Sequence, residues 1–206
     1  INFTKYKIIN CHAGKLPFYR GRNVLNWALI NDEKDFGITV HYVDEGIDTG
    51  DIILQRIYQI SDQDSYKTLL ERAYIECANI LYDVIIMFKK GYVKAQKQIK
   101  LHPQGFYCTQ RKKGDETLNW NQTSRQIFNF VRAICRPGPI ARAYINKKQM
   151  KINKVEIVKH VLINNCKIGL ILKKDSESFS VKTKDSFIRV TEFEFNGTIK
   201  AGDKFE

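Results

Sequence analysis

The stretch from Ile8 to Ile60 limits the fold more than any other part of the chain. Lys5 to Asn10 reads as a strand with an apolar end, running into Asn10-Cys11-His12. Ala13 to Arg22 carries Gly14, Pro17 and Gly21, and that breaker content predicts an irregular loop. Asn23 can cap a helix to Ile30, with Val24, Trp27 and Ala28 on one face and Leu25 beside them. Phe36 to Val43 alternates Ile38, Val40 and Tyr42 against Thr39, His41 and Val43, which is strand period. A glycine-bearing acidic turn, Asp44 to Gly50, leads into another strand, Ile52 to Ile60. Asp64 then reads as the cap of the longest helix, Ser65 to Lys89. Its apolar positions run from Tyr66 through Leu69, Leu70, Ala73, Tyr74, Cys77, Ile80, Leu81, Val84 and Ile85 to Phe88, and predict one wide face packed on a sheet. Strands joined through helices in this order make the fold class α/β.

Beyond Gly91 the pattern changes. Tyr92 to Lys113 is polar and basic and reads as a connector, with the domain boundary at its end: residues 1–113 form one domain with the connector, and 114–206 another. Thr123 or Ser124 caps a short helix to Ile134, with Ile127, Phe128, Val131 and Ile134 inward, and Pro137-Gly138-Pro139 ends the segment. Short strands follow at about Ala141 to Ile145, Lys151 to Val158, Lys167 to Lys173, Ser178 to Thr183 and Phe187 to Phe195. That spacing predicts a small β-barrel.

A hydrophobic share of 43% places the chain among globular proteins rather than disordered ones. No apolar run is long enough to span a membrane, and the first residues carry no signal-peptide pattern. Cys11, Cys77, Cys108, Cys135 and Cys166 are scattered with no CxxC pair, which argues against a zinc site or a disulfide framework and suits a cytoplasmic location. The formal charge of +12 is concentrated in Lys89 to Lys113, which contains no acid. Such a stretch fits either a phosphate-bearing partner or a solvated linker.

Asn10 and His12 stand two apart on a strand, so their side chains point to the same side. Spacing alone leaves two readings, a capped strand end or a catalytic pair. Asp44, Glu45, Asp48 and Asp51 crowd one turn, without the ligand spacing or terminal Glu of a calcium-binding loop. The alternative is a turn that projects a carboxylate toward a histidine, which fixes an imidazole's tautomer and raises its basicity. His41 fits a supporting role or an ordinary sheet position, and His102 and His160 read as surface residues. No GxxxxGK[ST], GxGxxG or GxSxG is present, so the usual phosphate-loop, dinucleotide and α/β-hydrolase chemistries lose support.

INCH, then LPFYRG, NWALIN and GITVHYVDEGIDTGDII, in this order and spacing, resemble the formyltransferases that use 10-formyltetrahydrofolate. That family includes methionyl-tRNA, glycinamide ribonucleotide and sugar N-formyltransferases. The resemblance implies an Asn–His–Asp triad at Asn10, His12 and Asp48. It implies that Asp44, Glu45, Gly46 and Ile47 wrap the pterin of the formyl donor, with Leu16 and Pro17 nearby. Tyr19, Arg20, Arg22, Tyr107 and Arg111 would approach the acceptor. The implied fold is the C-terminal half of a Rossmann-like formyltransferase catalytic domain followed by an OB-like β-barrel. The chain opens just before the INCH strand, so the family's preceding βαβ portion has no counterpart here. An inactive or partner-dependent fragment therefore stands beside the enzyme reading.

His12-Ala13-Gly14-Lys15-Leu16-Pro17 departs from the HPSLLP of the tRNA enzymes and looks closer to the sugar N-formyltransferases. The expected acceptor is then the amine of a nucleotide-linked amino sugar, with methionyl-tRNA as the alternative. A homodimer is the expected assembly, and the implied mechanism requires no metal.

Overall fold

A computed structural model describes residues 7–158 and 166–206. Lys5 and Tyr6 of the expected first strand, and His160, lie outside the described residues. The chain forms two compact units. One holds residues 1–28, 33–64 and 68–111, the other 29–32, 65–67 and 112–206.

The first unit is built on a three-stranded antiparallel sheet in the order β1-β3-β4. Its elements are β1 (Ile9–His12), the short β2 (Arg20–Gly21), α1 (Val24–Ile30), β3 (Asp35–Tyr42) and β4 (Ile52–Gln59). They continue through α2 (Tyr66–Lys89), α3 (Gln98–Leu101) and the short β5 (Tyr107–Cys108). Helix α2 lies against the sheet: Arg56 meets Asp83 at 2.6 Å, and the Tyr58 hydroxyl donates to Glu76 at 2.9 Å.

The wide apolar face expected of α2 is narrower than its sequence pattern. Leu69, Ala73, Ile80 and Val84 are buried, whereas Tyr74, Ile75, Tyr82, Ile85 and Phe88 are exposed. One sheet face can cover only a single stripe of a helix, and the composition of α2 exceeds that stripe.

The connector is not a free linker either. Gln96 and Ile52 exchange backbone hydrogen bonds of 2.8 Å, and β5 pairs in parallel with β2. Further along, the Thr109 carbonyl accepts from the Trp27 indole at 2.9 Å, and the Arg111 amide donates to Asn23 Oδ1 at 3.0 Å. Lysine-rich composition says nothing about a segment's backbone partners, and those partners fix its path.

The second unit contains α4 (Ser124–Ile134), β6 (Ala141–Ile145), β7 (Lys148–Ile157), β8 (Ile171–Lys174), β9 (Phe179–Lys182) and β10 (Phe187–Phe195). Thr123 and Gln126 form a reciprocal cap at the start of α4. Ile127, Val131 and Ile134 on α4 are buried, as the periodicity predicts, whereas Phe128 is only half-buried, with Arg125 and Arg132 over its ring. The strands make one antiparallel sheet in the order β6-β7-β10-β9-β8. The expected barrel is not closed by strand pairing: among the described residues no ladder joins β8 to β6. The C-terminal segment bonds to both sides instead, with Phe205 N donating to the Gly169 carbonyl at 2.9 Å and Glu206 N to the Tyr144 carbonyl at 3.0 Å. Phe205 stacks on Trp120 with ring centres 4.5 Å apart.

Candidate active site

Strand β1 presents Asn10 and His12 to one side and Cys11 to the other. Cys11 turns toward α2, where its thiol lies 3.7 Å from the Cys77 carbonyl. Contact with Cys77 and burial push that thiol well above the ordinary range, so it is no thiolate nucleophile.

Across the sheet, Asn10 pairs with His41 and His12 with Thr39. Because β1 and β3 are antiparallel, their carboxyl ends lie at opposite ends of the sheet. The expected convergence of neighbouring strand ends is therefore replaced by the turn after β3, which carries Asp48 back over the sheet. Asp48 adopts a left-handed backbone conformation, φ 54°. One carboxylate oxygen, Oδ2, accepts the Gly21 amide at 2.9 Å and lies 3.7 Å from His12 Nδ1. The other, Oδ1, is 3.5 Å from His41 Nε2 and 3.4 Å from the Asn10 amide nitrogen. All three triad positions thus lie together, with His41 beside them.

Hydrogen-bond chemistry assigns the tautomers. His12 Nε2 lies 2.7 Å from the Tyr19 carbonyl, which can only accept, so Nε2 carries the proton and the lone pair sits on Nδ1 facing Asp48. His41 Nδ1 lies 2.8 Å from the Tyr42 carbonyl, so by the same reasoning its Nε2 is the open nitrogen, 3.4 Å from the Asn10 amide. The carboxylate was expected to orient the histidine. The Tyr19 carbonyl does that, and Asp48 stands where it would balance charge. Gly14 is required by this packing: a Cβ there would lie 2.3 Å from His12 Nε2 and 2.4 Å from the Tyr19 carbonyl oxygen.

Burial lowers the pKa of His12 below the usual imidazole value, against the opposing pull of the Tyr19 carbonyl and Asp48. Burial alone would push the Asp48 carboxyl up. The His41 contact, the Gly21 amide and the electrostatic influence of the two histidines outweigh it and hold the pKa at about 2. At neutral pH the site is a neutral imidazole beside a firmly ionised carboxylate.

The remaining predicted residues fall into distinct places. Leu16 is 1% exposed and packs in the core, so it can shape a ligand site but not line it; Pro17 is buried beside it. Tyr19 is also buried, its hydroxyl donating to Glu33 at 2.6 Å; its carbonyl, not its ring, belongs to the site. Asp44 accepts from the Gly46 amide at 3.1 Å and the Thr49 hydroxyl at 2.6 Å and so shapes the turn. Glu45, Gly46 and Ile47 are exposed.

Among the acceptor candidates, Arg20 lies over the Tyr107 ring at 5.4 Å and is held by Gln98, Arg22 is exposed, and Arg111 stacks over Trp27 at 5.7 Å. Sequence reasoning missed the Tyr19 carbonyl, the Gly21 amide and Gln98, and held His41 only in reserve. His41, alternating with buried apolar residues on β3, was the one signal available.

Among the described residues no group of three or more His, Cys, Asp or Glu side chains could hold a metal ion. No described helix is long and apolar enough to cross a membrane. A cavity of about 470 Å³ lies in the second unit, lined by Trp120, Lys167 and Phe205 among others, and includes none of the site residues.

The formyl transferase family model matches residues 1–85, and the model of the formyl transferase C-terminal domain matches residues 111–203. The chain belongs to the formyl transferase family. A methionyl-tRNA formyltransferase of Thermodesulfovibrio yellowstonii is 37% identical over 190 residues, covering 92% of this chain and 59% of that protein. This chain thus spans less than two thirds of that relative. The N-formyltransferase of Helicobacter canadensis, solved with folinic acid and dTDP-3-aminofucose, superposes with a TM-score of 0.68 at 25% identity, covering 91% of this chain and 66% of that one. HypX of Aquifex aeolicus, solved with tetrahydrofolic acid, shares the fold with a TM-score of 0.69 at 20% identity, covering 94% of this chain and 33% of that one.

Proposed function

We propose that this chain carries the catalytic triad of an enzyme that moves a formyl group from 10-formyltetrahydrofolate to the amine of a nucleotide-linked amino sugar. The observation that carries the reading is the meeting of Asn10, His12 and Asp48, with His12 neutral and its open nitrogen facing an ionised carboxylate.

The acceptor amine attacks the formyl carbon, negative charge grows on the formyl oxygen, and the amine loses a proton; as the tetrahedral adduct collapses, the bond from the formyl carbon to the donor nitrogen N10 breaks and N10 takes up that proton, so that tetrahydrofolate leaves. Asn10 stabilises that oxygen. Its amide makes only long contacts of 3.4 Å to Asp48 and His41, so little is lost when it turns to a stronger acceptor. His12 takes the amine's proton at Nδ1, and Asp48 then faces the new positive charge. The exposed turn Asp44–Ile47 offers Gly46 backbone to the hydrogen-bonding edge of the donor's pterin and the Ile47 side chain, 66% exposed, to its flat face. Arg20 and Tyr107 together offer a charged, aromatic surface suited to a nucleotide, with Arg22 and Arg111 as further cations.

In the same reading the boundary between the two domains lies near Lys113. The second unit is an OB-like barrel completed by the C-terminal segment, and it serves dimerisation. Support for the barrel is the bonding of Phe205 and Glu206 to Gly169 and Tyr144.

Methionyl-tRNA is the second reading of the acceptor, favoured by the 37% identity to a tRNA enzyme and by the net charge of +12. One assay separates the two. The purified protein bearing this chain is given labelled 10-formyltetrahydrofolate with a panel of nucleotide-linked amino sugars, and separately with methionyl-initiator tRNA. Label in a sugar nucleotide supports the first reading, and label in tRNA alone replaces it. Transfer to neither, with correctly folded protein, removes both.

A further inference from the structure

We propose that Gln98, in the basic segment after α2, is a positioning residue that fixes the Asp48 carboxylate opposite His12. The inference rests on the site reading above, and goes beyond it by assigning a task to a residue outside the triad and its turn.

Gln98 begins the short α3 and is 4% exposed. A glutamine side chain has two N–H donors and one oxygen with two lone pairs. Here all four are used. Nε2 donates to the backbone carbonyls of Asp48 at 2.9 Å and Gly50 at 2.8 Å. Oε1 accepts from Arg20 Nε at 3.0 Å and Nη2 at 2.6 Å. The orientation is unambiguous, because a guanidinium can only donate and a carbonyl can only accept. No other amino acid of this length satisfies both sides. Glutamate would keep Arg20 but turn an acceptor toward two carbonyls, and methionine would serve neither.

The need for such a clamp follows from the backbone of Asp48. A non-glycine residue at φ 54° is held in a conformation that is unfavourable in isolation, so the surroundings must impose it. Two anchors do so: the Gly21 amide on its side chain, and Gln98 on its carbonyl. Gly21 belongs to β2, which pairs with β5, and Gln98 lies in the segment leading to β5. The segment between α2 and β5 therefore grips the backbone of the Asp48 turn through the Gln98 side-chain amide, while β2 holds the Asp48 carboxylate through the Gly21 amide. Losing Gln98 frees the turn to relax and draws the carboxylate away from His12.

The charged and titratable groups facing His12 are Asp48 from the turn and His41 from β3. Of these, Asp48 raises the His12 pKa and His41 lowers it. Retreat of Asp48 therefore moves the His12 titration to lower pH. A residue that merely held the fold together would lower thermal stability without moving that titration.

The test uses Gln98→Glu and Gln98→Met in the protein bearing this chain, with His12→Ala alongside. Expected are a kcat lowered about 10²-fold, a KM for the formyl donor changed much less than kcat, and an acid limb of kcat/KM displaced to lower pH in both variants. Unchanged kcat and acid limb, or a lowered melting temperature with unchanged specific activity, overturns the assignment. Gln98→Glu keeps the Arg20 contact, so a full loss there assigns the effect to the Asp48 side of the clamp, and normal rates there assign it to Arg20 and overturn the proposal. The His12→Ala control separates the two levels. If it abolishes turnover while the Gln98 variants behave normally, only Gln98 has been misassigned; if it too is normal, the site reading itself fails. Should neither Gln98 variant fold, the unmutated protein still decides. The Gln98 side-chain amide protons should exchange with solvent roughly 10²-fold slower than those of an exposed glutamine, and fast exchange overturns the clamp.

Discussion

The two units bury their strands for different ends. In the second, β7, β9 and β10 put Met150, Ile152, Val155, Phe179, Val181, Ile188 and Val190 into an apolar core. Even its buried Lys182 has purely structural partners, with Nζ donating to the Thr183 carbonyl at 3.0 Å and lying over the Phe187 ring. In the first unit, β3 buries Thr39 and His41 beside Ile38 and Val40. Each is tied to a fixed partner: Thr39 donates to the Gly14 carbonyl at 2.7 Å, and His41 to that of Tyr42. His41 differs from Lys182 in what it faces, since its open nitrogen lies 3.5 Å from the Asp48 carboxylate, and that arrangement fits the proposed chemistry.

The largest effects should split along that line. His12→Ala and Asp48→Ala in the protein bearing this chain should each cut turnover by about 10²- to 10⁴-fold while far-ultraviolet dichroism stays unchanged. Ile152→Ala should do the reverse, costing about 2–5 kcal/mol in urea denaturation with normal specific activity in the folded fraction. If all three variants lost stability and activity in the same proportion, the two regions would not differ in kind. Asn10→Ala comes next. A loss of about 10²- to 10³-fold should fall on kcat with little change in KM; a rise in KM alone would make Asn10 a binding group instead.

A smaller effect concerns pH. His12 titrates below 6.5 because burial penalises its charged form, so the working neutral form persists into mildly acidic solution. The acid limb of kcat/KM should lie below pH 6.5. Asp48→Asn removes a charge that raises the His12 pKa, so the limb should move lower still, in whatever activity remains. The same shift has a stability counterpart. The unfolded chain protonates His12 first as pH falls through 6.5, so stability should decline from there toward the folded pKa. Asp48 acts in a lower window, its contribution being present above 3.8 and lost as pH falls toward about 2. A limb that rose in Asp48→Asn would mean that the carboxylate does not face His12 in solution.

Much of this was legible in the residues. Period-two alternation located β3, helical period located α1, helical period and a cap located α4, and the two-residue spacing put Asn10 and His12 on one face; the Asn23 side chain, expected to cap α1, accepts from the Arg111 amide instead. What stayed hidden has a common cause. The Tyr19 carbonyl, the Gly21 amide and the carbonyls that Gln98 clamps are backbone groups, which every residue carries and no sequence pattern marks. The connector's docking and the C-terminal segment's bonds to Gly169 and Tyr144 are likewise backbone events. The width of the α2 face misled for another reason, since hydrophobicity states what a helix can bury and not how much surface is there to cover it.

The smallest effect belongs to the exposed charges of the second unit. Glu194 on β10 meets both Arg136 and Lys151, at side-chain exposures of 49%, 57% and 47%. Charges this open to water lose most of their attraction to screening and to the entropy of holding long side chains still. Glu194→Gln should therefore change stability by less than about 1 kcal/mol, and the difference should vanish in high salt. The contrast with Asp48 is one of environment, because both are carboxylates between two basic partners. Asp48 has a backbone amide fixed on it, a side chain only 12% exposed and a clamped backbone, whereas Glu194 has its partners and open solvent. A salt-insensitive loss of several kcal/mol at Glu194 would show that exposure is the wrong measure of what a charge does in this protein.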